Sequence, residues 1–444
     1  MSKAAADSRS FFRSASLTAW SLAALVAGLL LGVLGRTSGG PAFETLASVV
    51  RPIGDLWISA LLVTVLPLAI TQVLAAITGA RWTESVGALG ARAVLLFLVM
   101  LLAAGVATIV LVKPIIAMYP VDSASIASLQ AATPVPEAAR QAAVGAGSLT
   151  EWLSGLIPRN LFDAAVRGDL LPLLIFSVLF ASAVSLLPDE YRVPLARTFQ
   201  GLARATLLVV HWMLWGTPAG VFALMYVLAL RTGGESAGML AAYVGIVSGL
   251  LLLFTVTLYP LTAALGRTTL GAFARAAAPA QLVAASTRSS IAALPALVEG
   301  GRKHLGLPDS STSLVLPLSV SLFKVNRTIS SPVKLLFLAH VYGIPMPPAT
   351  VATFLITVVI LSFASVGLPG GGAAFKTLPA YLAAGVPIEG VVILEAVETI
   401  PDIFKTVLNV TADMSAAVVL SRSSRGQRAA VSAAEEPAAA EGLL

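Results

Sequence analysis

The sequence predicts an all-α polytopic membrane protein. Hydrophobic residues make up 57% of the chain and charged residues only 11%, whereas about a quarter of the residues in a soluble domain are charged. The long apolar runs lack the two-residue alternation of an outer-membrane barrel strand. At about 20 residues per span, the chain has room for roughly eight to ten crossings plus loops. These observations favour a bundle of membrane helices over a soluble protein or a barrel.

The basic residues predict the orientation of the chain in the inner membrane. They cluster before the first apolar run and after the last one, at Lys3, Arg9, Arg13, Arg422, Arg425 and Arg428. The positive-inside rule therefore places both termini in the cytoplasm and requires an even number of crossings. The net charge of +6 is interpreted as this topology signal, and no nucleic-acid partner is expected. The absence of cysteine excludes disulfide and thiol chemistry.

Apolar segments divide the first two thirds of the chain into predicted elements. They are a cytoplasmic segment, helices 1 and 2, helix 3, an Ala-rich and Pro-punctuated external loop, helices 4 and 5, and helix 6, at residues 1–14, 15–79, 85–118, 119–159, 160–230 and 237–268. The last third contains a first interrupted segment, helix 7, a second interrupted segment, helix 8 and a disordered Ala/Glu-rich tail, at 271–300, 310–342, 346–380, 383–420 and 421–444.

The two interrupted segments carry polar or glycine-rich breaks at residues 286–290 and 367–372. Each break lies between apolar flanks of about 12 to 15 residues, which are too short to span a bilayer singly. Non-helical backbone at membrane depth is tolerated only where it is buried in protein or lines a wet cavity. Paired breaks of this kind predict two re-entrant hairpins at a transporter's substrate site. The alternative is a polar loop outside the bilayer for the first break and an ordinary turn for the second.

Polar residues follow one face of the last apolar segment. They are Asp402, Lys405, Thr406, Asn409 and Asp413, at helical spacing. Ionisable residues inside a membrane are rare, and they usually mark a pathway or a binding site. The stripe therefore predicts a site for a charged solute. The alternative is an amphipathic helix end with an internal ion pair between Asp402 and Lys405.

Several motifs resemble those of the dicarboxylate/amino-acid:cation symporter (glutamate transporter) family. The most specific is DIFKTVLNVTAD at 402–413, which is similar to the family's last-helix motif. Further matches are IGDL at 53–56, LPL at 66–68, PAGVFAL at 218–224, TRSS at 287–290 and GLPG at 367–370. The resemblance covers most of the chain from the first helix to Leu420.

This resemblance implies eight transmembrane helices plus two re-entrant hairpins in each subunit of a homotrimer. Helices 1, 2, 4 and 5 would form the scaffold, and the other elements would move across the lipid bilayer like an elevator. It implies no enzymatic activity and no cofactor. The expected function is symport or exchange of a small anionic or zwitterionic substrate, either an acidic amino acid or a small dicarboxylate.

The resemblance also implies roles for individual residues. Asp402 would hold a substrate ammonium, Asn409 the α-carboxylate, and Lys405 a side-chain carboxylate in place of the family's usual Arg, with Thr406 assisting. Lys lacks the planar guanidinium with which Arg binds a carboxylate through two hydrogen bonds, so the selectivity for an acidic side chain is left open. The other expected substrate-binding residues are Arg288, Ser289, Ser290, Arg327, Gly367, Pro369 and Gly370. Arg288 has an alternative role as the ion-pair partner of Asp402.

The expected coupling ion differs from that of sodium-coupled relatives. Those relatives carry Asn-Met-Asp-Gly-Thr on the seventh helix after a Leu-Pro-Leu turn, whereas LPL at 316–318 is followed here by SVSLFKVNRT. Met100 and Leu101 align with a Thr-Ser pair that completes a sodium site on the third helix. Because both segments have lost oxygen ligands, the prediction is a site at Lys324, Asn409 and Asp413 in which Lys324 or Arg327 acts as a tethered cation. Proton coupling, or none, is favoured over sodium, and no confident metal site is predicted.

Other functions remain open at the level of sequence. The same fold would suit a carrier of neutral amino acids or other organic anions, and a channel is a further alternative. A distant one is an intramembrane hydrolase that uses Ser289 or Ser290 with His304 or His340, although the sequence lacks a GxSxG or HExxH signature near them. Glu395 and Glu398 are interpreted as helix-end charges.

Overall fold

A computed structural model describes residues 2–79, 84–121, 126, 157–167, 169–363 and 377–441. Among these residues the secondary structure is helical, with no β-strand, which confirms the all-α prediction. The helices are α1 (Ser2–Ser38), α2 (Pro41–Thr78), α3 (Glu84–Ala117), α4 (Leu161–Arg167), α5 (Leu170–Ser185), α6 (Asp189–Leu214), α7 (Thr217–Thr232), α8 (Glu235–Gly266), α9 (Leu270–Thr287), α10 (Ser290–Leu305), α11 (Leu316–Leu322), α12 (Val325–Val341), α13 (Pro348–Phe363), α14 (Leu378–Ala383), α15 (Ile388–Ala396) and α16 (Thr399–Glu441).

Several of these helices are long and apolar enough to cross a membrane. Within the described residues there are five, namely Ala19–Ser38, Pro41–Thr78, Leu89–Ala117, Glu235–Gly266 and Thr399–Arg422. The pair α6 and α7, bent by 54°, makes a sixth if it forms one span. Helices α5 and α13 are apolar but have only 16 residues each, fewer than the about 20 that a span requires. The chain is therefore a polytopic helical membrane protein, and the count of eight crossings stays a prediction.

The chain divides into two compact units. Unit 1 comprises Met1–Arg81, Gly105–Ser248 and Arg327–Pro401, and unit 2 comprises Trp82–Ala104, Gly249–Asn326 and Asp402–Leu444. The boundaries fall inside α3, α8, α12 and α16, so each of these helices contributes to both units.

In unit 1, small residues bring helices α1 and α7 close together. A Cβ atom added at Gly32 would lie 2.6 Å from the Cβ of Ala229 and 2.7 Å from the carbonyl oxygen of Tyr226. Glycine therefore permits a backbone approach that any larger residue would prevent. Trp57 on α2 fills the neighbouring space beside Gly220, and its indole N–H donates to the Met213 carbonyl at 2.9 Å.

In unit 2, polar contacts join α8, α9 and α16 within an apolar surround. The Thr262 hydroxyl donates to Ser415 at 2.6 Å, and the Gln281 amide donates to Thr411 at 2.7 Å. Tyr259 donates to the Gln281 carbonyl oxygen at 3.0 Å. Because buried polar groups are costly unless they are hydrogen-bonded, these pairs fix the position of α16 relative to its neighbours.

Candidate functional site

The tip between α9 and α10 is a tight two-residue connection in unit 2. Helix α9 ends at Thr287, and Arg288 adopts a left-handed conformation with φ of 52°. Ser289 is the N-cap of α10, and its hydroxyl oxygen accepts the Ala292 N–H at 3.3 Å. Serine is a preferred N-cap because its side chain satisfies one of the first N–H groups of the helix. The tip thus presents Ser289 and the buried Ser290 at the positive end of the α10 dipole.

The polar stripe predicted on the last helix lies on α16. The carboxylate of Asp402 is half-exposed and lies 4.0 Å from the ammonium of Lys405, which is buried. Arg288 is exposed, and the ion pair described for Asp402 is the one with Lys405. Thr406 is also buried and donates its hydroxyl to the Asp402 carbonyl at 2.8 Å. The start of the stripe is therefore a partly solvated ion pair.

Asn409 continues the stripe one turn further and contacts the first turn of α12. Its side-chain oxygen accepts the backbone N–H of Asn326 at 3.1 Å, and the residue is 5% exposed. Because the oxygen is engaged in this way, the amide NH₂ is the group that Asn409 presents as a hydrogen-bond donor. Donation from this NH₂ suits a carboxylate ligand better than a cation.

Asp413 is the most deeply buried member of the stripe. It is fully buried, and neither carboxylate oxygen accepts a hydrogen bond from a described residue. The ammonium of Lys324 attracts it electrostatically, whereas the Ser319 hydroxyl donates to the Leu316 carbonyl at 3.0 Å. Lys324 also donates to the Val320 carbonyl at 2.5 Å, at the end of α11. The positive charge of Lys324 thus lies at the C-terminal end of α11, where the carbonyl groups favour it.

Aromatic rings fill the space where the end of α11 meets α3. Phe323 follows α11 in an extended conformation and stacks on Phe97 of α3, with ring centroids 4.8 Å apart and planes 10° apart. Both rings are fully buried, and so is Leu101. These side chains offer no oxygen atoms to an alkali cation, which prefers hard oxygen ligands.

The remaining predicted residues are Arg327 and three residues of the second hairpin tip. Arg327 belongs to unit 1, where it is 8% exposed and donates to the Leu361 carbonyl at 3.3 Å. Gly367, Pro369 and Gly370 of the second predicted hairpin tip lie outside the described residues.

One charged cluster was not predicted from the sequence. Lys334 on α12 forms ion pairs with Glu395 and, at 2.8 Å, with Glu398. The interpretation of these two glutamates as helix-end charges was therefore incomplete, because they surround a buried ammonium. A lone lysine within the apolar part of α12 is the signal that could have revealed it.

The chain is similar to known transporters along most of its length. Residues 17–423 match the sodium:dicarboxylate symporter family. The chain is 29% identical over 399 residues to a proton/sodium-glutamate symport protein of Bacillus subtilis, covering 90% of each chain. It is 28% identical over 411 residues to a proton/glutamate-aspartate symporter of Escherichia coli, covering 91% of this chain and 92% of the relative.

A third relative is named for a different substrate. The chain is 26% identical over 404 residues to C4-dicarboxylate transport protein 1 of Pseudomonas aeruginosa, covering 90% of this chain and 87% of the relative. The family match and these names confirm the resemblance, and they identify a transporter rather than an enzyme. The chain belongs to the sodium:dicarboxylate symporter family.

Proposed function

We propose that the protein is a secondary active transporter of the bacterial inner membrane that carries an acidic amino acid or a small dicarboxylate by symport or exchange. The observation that carries the proposal is the stripe on α16, where the buried groups Lys405 and Asn409 offer an ammonium and an amide NH₂. The names of relatives that carry glutamate, aspartate and C4-dicarboxylates support the same substrate class.

In this proposal each charge of the substrate meets one group of the site. Lys405 binds the side-chain carboxylate, and the Asn409 NH₂ binds the α-carboxylate. When the substrate has an ammonium group, Asp402 binds it. The carboxylate of Asp402 then leaves Lys405 and contacts the substrate instead. Thr406 assists through the lone pairs of its hydroxyl oxygen. This exchange of partners limits the cost of removing the substrate's charges from water.

The predicted hairpin tips complete the site. Ser289 and Ser290 lie at the N-terminus of α10, where N–H groups and the helix dipole favour an anion. Arg288, Arg327, Gly367, Pro369 and Gly370 stay proposed contributors from the tips and from α12. The proposal includes eight transmembrane helices with two re-entrant hairpins, elevator-type movement in a homotrimer, and cytoplasmic termini.

The proposed coupling does not require sodium. Lys324 acts as a tethered cation for Asp413, and Asn409 lies one turn away on α16. The ring of Phe323 supports this assignment, because it lies in the segment that replaces the relatives' sodium motif, stacks on Phe97 and supplies no oxygen ligand. A sodium ion beside a fixed ammonium would also be repelled. Coupling to protons, or obligatory exchange, is the expected mode.

A neutral amino acid is the second candidate substrate. The distance of 4.0 Å between Asp402 and Lys405 favours it, because this pair neutralises the charge that would otherwise select an acidic side chain. A zwitterion without a charged side chain would leave that pair intact.

Competition for uptake decides between these substrates. The purified protein in liposomes should take up labelled L-aspartate or L-glutamate, and unlabelled aspartate, glutamate and succinate should compete. Alanine, serine and leucine at the same concentrations should compete at least about tenfold more weakly, which corresponds to about 1.4 kcal/mol. Strong competition by the neutral amino acids with none by the acids would show that Lys405 does not bind a substrate carboxylate.

A further inference from the structure

One side-chain oxygen of unit 2 is buried without a hydrogen-bond donor among the described residues. It is the amide oxygen of Asn326, in the first turn of α12. Within the described part of unit 2, the other buried side-chain oxygens that accept no hydrogen bond belong to Asp413, whose charge Lys324 attracts. An unpaired buried acceptor is unfavourable, so the oxygen of Asn326 requires a donor that the chain itself does not supply.

Asn326 lies beside the polar stripe of α16. Helix α11 ends at Leu322 and α12 begins at Val325, so the backbone N–H of Asn326 is among the first N–H groups of a helix, which have no partner inside it. This N–H donates to the side-chain oxygen of Asn409 at 3.1 Å. Asn326 and Asn409 belong to the same unit. The contact therefore places Asn326 next to the residue that the proposed function assigns to the α-carboxylate of the substrate.

An α-amino acid carries the missing donor at this position. Its ammonium is bonded to the same carbon as its α-carboxylate, so an acceptor next to Asn409 lies within reach of the ammonium. An ammonium has three N–H donors, and the carboxylate of Asp402 need not accept all of them. An ionised carboxylate, in contrast, only accepts hydrogen bonds. A dicarboxylate would therefore leave the oxygen of Asn326 unpaired.

We propose that the side-chain oxygen of Asn326 accepts a hydrogen bond from the substrate's α-ammonium and thereby selects acidic amino acids over dicarboxylates. The backbone N–H of Asn326 orients Asn409, and its side chain shares the ammonium with Asp402. A site that is built to hydrogen-bond an N–H group discriminates against an analogue that lacks it, because its own buried polar group is then left unpaired. This assignment rests on the proposed function, because it names the preferred class of acid within that site.

Two pairs of acids that differ by an amino group provide the test. L-aspartate and succinate have the same carbon chain and both carboxylates, and so do L-glutamate and glutarate. Liposomes containing the full-length protein take up labelled L-aspartate or L-glutamate under inward gradients of both sodium and protons, so that the result does not depend on the coupling ion. Each unlabelled acid is added as a competitor. The wild type should bind the amino acid of each pair more tightly, and the ratio of the two inhibition constants measures this preference.

Asn326→Ala should lower this ratio at least about tenfold, by weakening the amino acid and not the dicarboxylate. The variant keeps the backbone N–H that orients Asn409, so the contact with the α-carboxylate remains. Asn326→Leu keeps most of the side-chain volume without its polar atoms. It should have the same effect, and it carries the test if the alanine variant does not fold. Asn326→Asp keeps an acceptor and adds a negative charge, so it should retain the preference for an ammonium.

Asn160→Ala is the matched control. It makes the same chemical change in unit 1, where the side-chain oxygen of Asn160 accepts the Phe162 N–H at 2.9 Å at the start of α4. This variant should keep the wild-type ratio. Size-exclusion chromatography in detergent checks that each variant is folded. The ratio separates the two possible roles of Asn326, because a merely structural role would weaken both acids of a pair equally.

The outcomes separate this assignment from the proposed function. If the wild type takes up neither labelled acid, both fail. If it takes them up but Asn326→Ala and Asn326→Leu both keep the wild-type ratio, water satisfies the oxygen and the role of Asn326 is overturned, while the substrate assignment stands. The same conclusion follows if the dicarboxylates compete as strongly as the amino acids in the wild type, or if Asn326→Asp loses the preference as Asn326→Ala does.

Discussion

Replacing Lys405 with alanine is expected to abolish uptake while leaving the protein folded. The change removes the ammonium that the proposal assigns to the substrate's side-chain carboxylate, in surroundings that hold Lys405 at 8% exposure. A hydrogen bond to a charged group contributes about 1.5–3 kcal/mol, and an unpaired carboxylate in the site adds a further penalty. Uptake at low substrate concentration should therefore fall by at least about a hundredfold.

Three further variants define the origin of this loss. Lys405→Arg should retain uptake, because a guanidinium keeps the charge and grips a carboxylate bidentately. Lys303→Ala, which removes an exposed lysine paired with Glu299 at 2.5 Å, should have little effect. Asp413→Ala should abolish transport as Lys405→Ala does. All four should elute as the wild type does from a size-exclusion column. Loss of folded protein for Lys405→Ala would instead indicate that its pair with Asp402 is structural.

Replacing Lys324 with methionine is the second change with a large expected effect. Methionine keeps the length of the side chain but removes the charge that attracts Asp413, which is 0% exposed. An uncompensated buried carboxylate costs several kcal/mol, so Asp413 would have to find another cation or be protonated. Labelled uptake without sodium should fall at least about tenfold, or about 1.4 kcal/mol.

The double variant Lys324→Met with Asp413→Asn tests the same pair independently. It removes both charges and leaves no buried carboxylate without a counter-ion, so it should be at least as stable to heat as Lys324→Met alone. Lys324→Arg should keep more uptake than Lys324→Met because the positive charge remains. Full sodium-free uptake by Lys324→Met would show that Lys324 is not the tethered cation.

Features that depend on local sequence are the ones that a single sequence can predict. The stripe on α16 follows from helical spacing, which brings residues three and four apart onto one face. The first hairpin break was predicted from the serine-rich segment, and the structure places a left-handed Arg288 and a serine N-cap there. Each feature is encoded within a few consecutive residues, so its prediction does not depend on how distant parts of the chain pack.

Features that depend on distant contacts were not predicted. Lys334 and Glu395 are 61 residues apart, and nothing in either segment alone reveals that they meet. Phe323 lies in the segment that follows LPL at 316–318, but its stacking on Phe97 depends on how α3 packs. The number of membrane crossings was also difficult to predict from the sequence. An apolar helix of 16 residues, such as α5, has a length that fits a short span and one arm of a hairpin equally well.

Uptake with sodium replaced by choline tests the central claim most directly, namely that this chain concentrates an acidic solute without a sodium ion. Liposomes containing the wild-type protein receive labelled L-aspartate or L-glutamate at fixed pH, with sodium or choline as the external cation and protein-free liposomes as the control. The account predicts saturable uptake that rises above the external concentration in choline and stays within about tenfold of the rate in sodium. A fall of more than about tenfold, roughly 1.4 kcal/mol, would contradict the tethered cation.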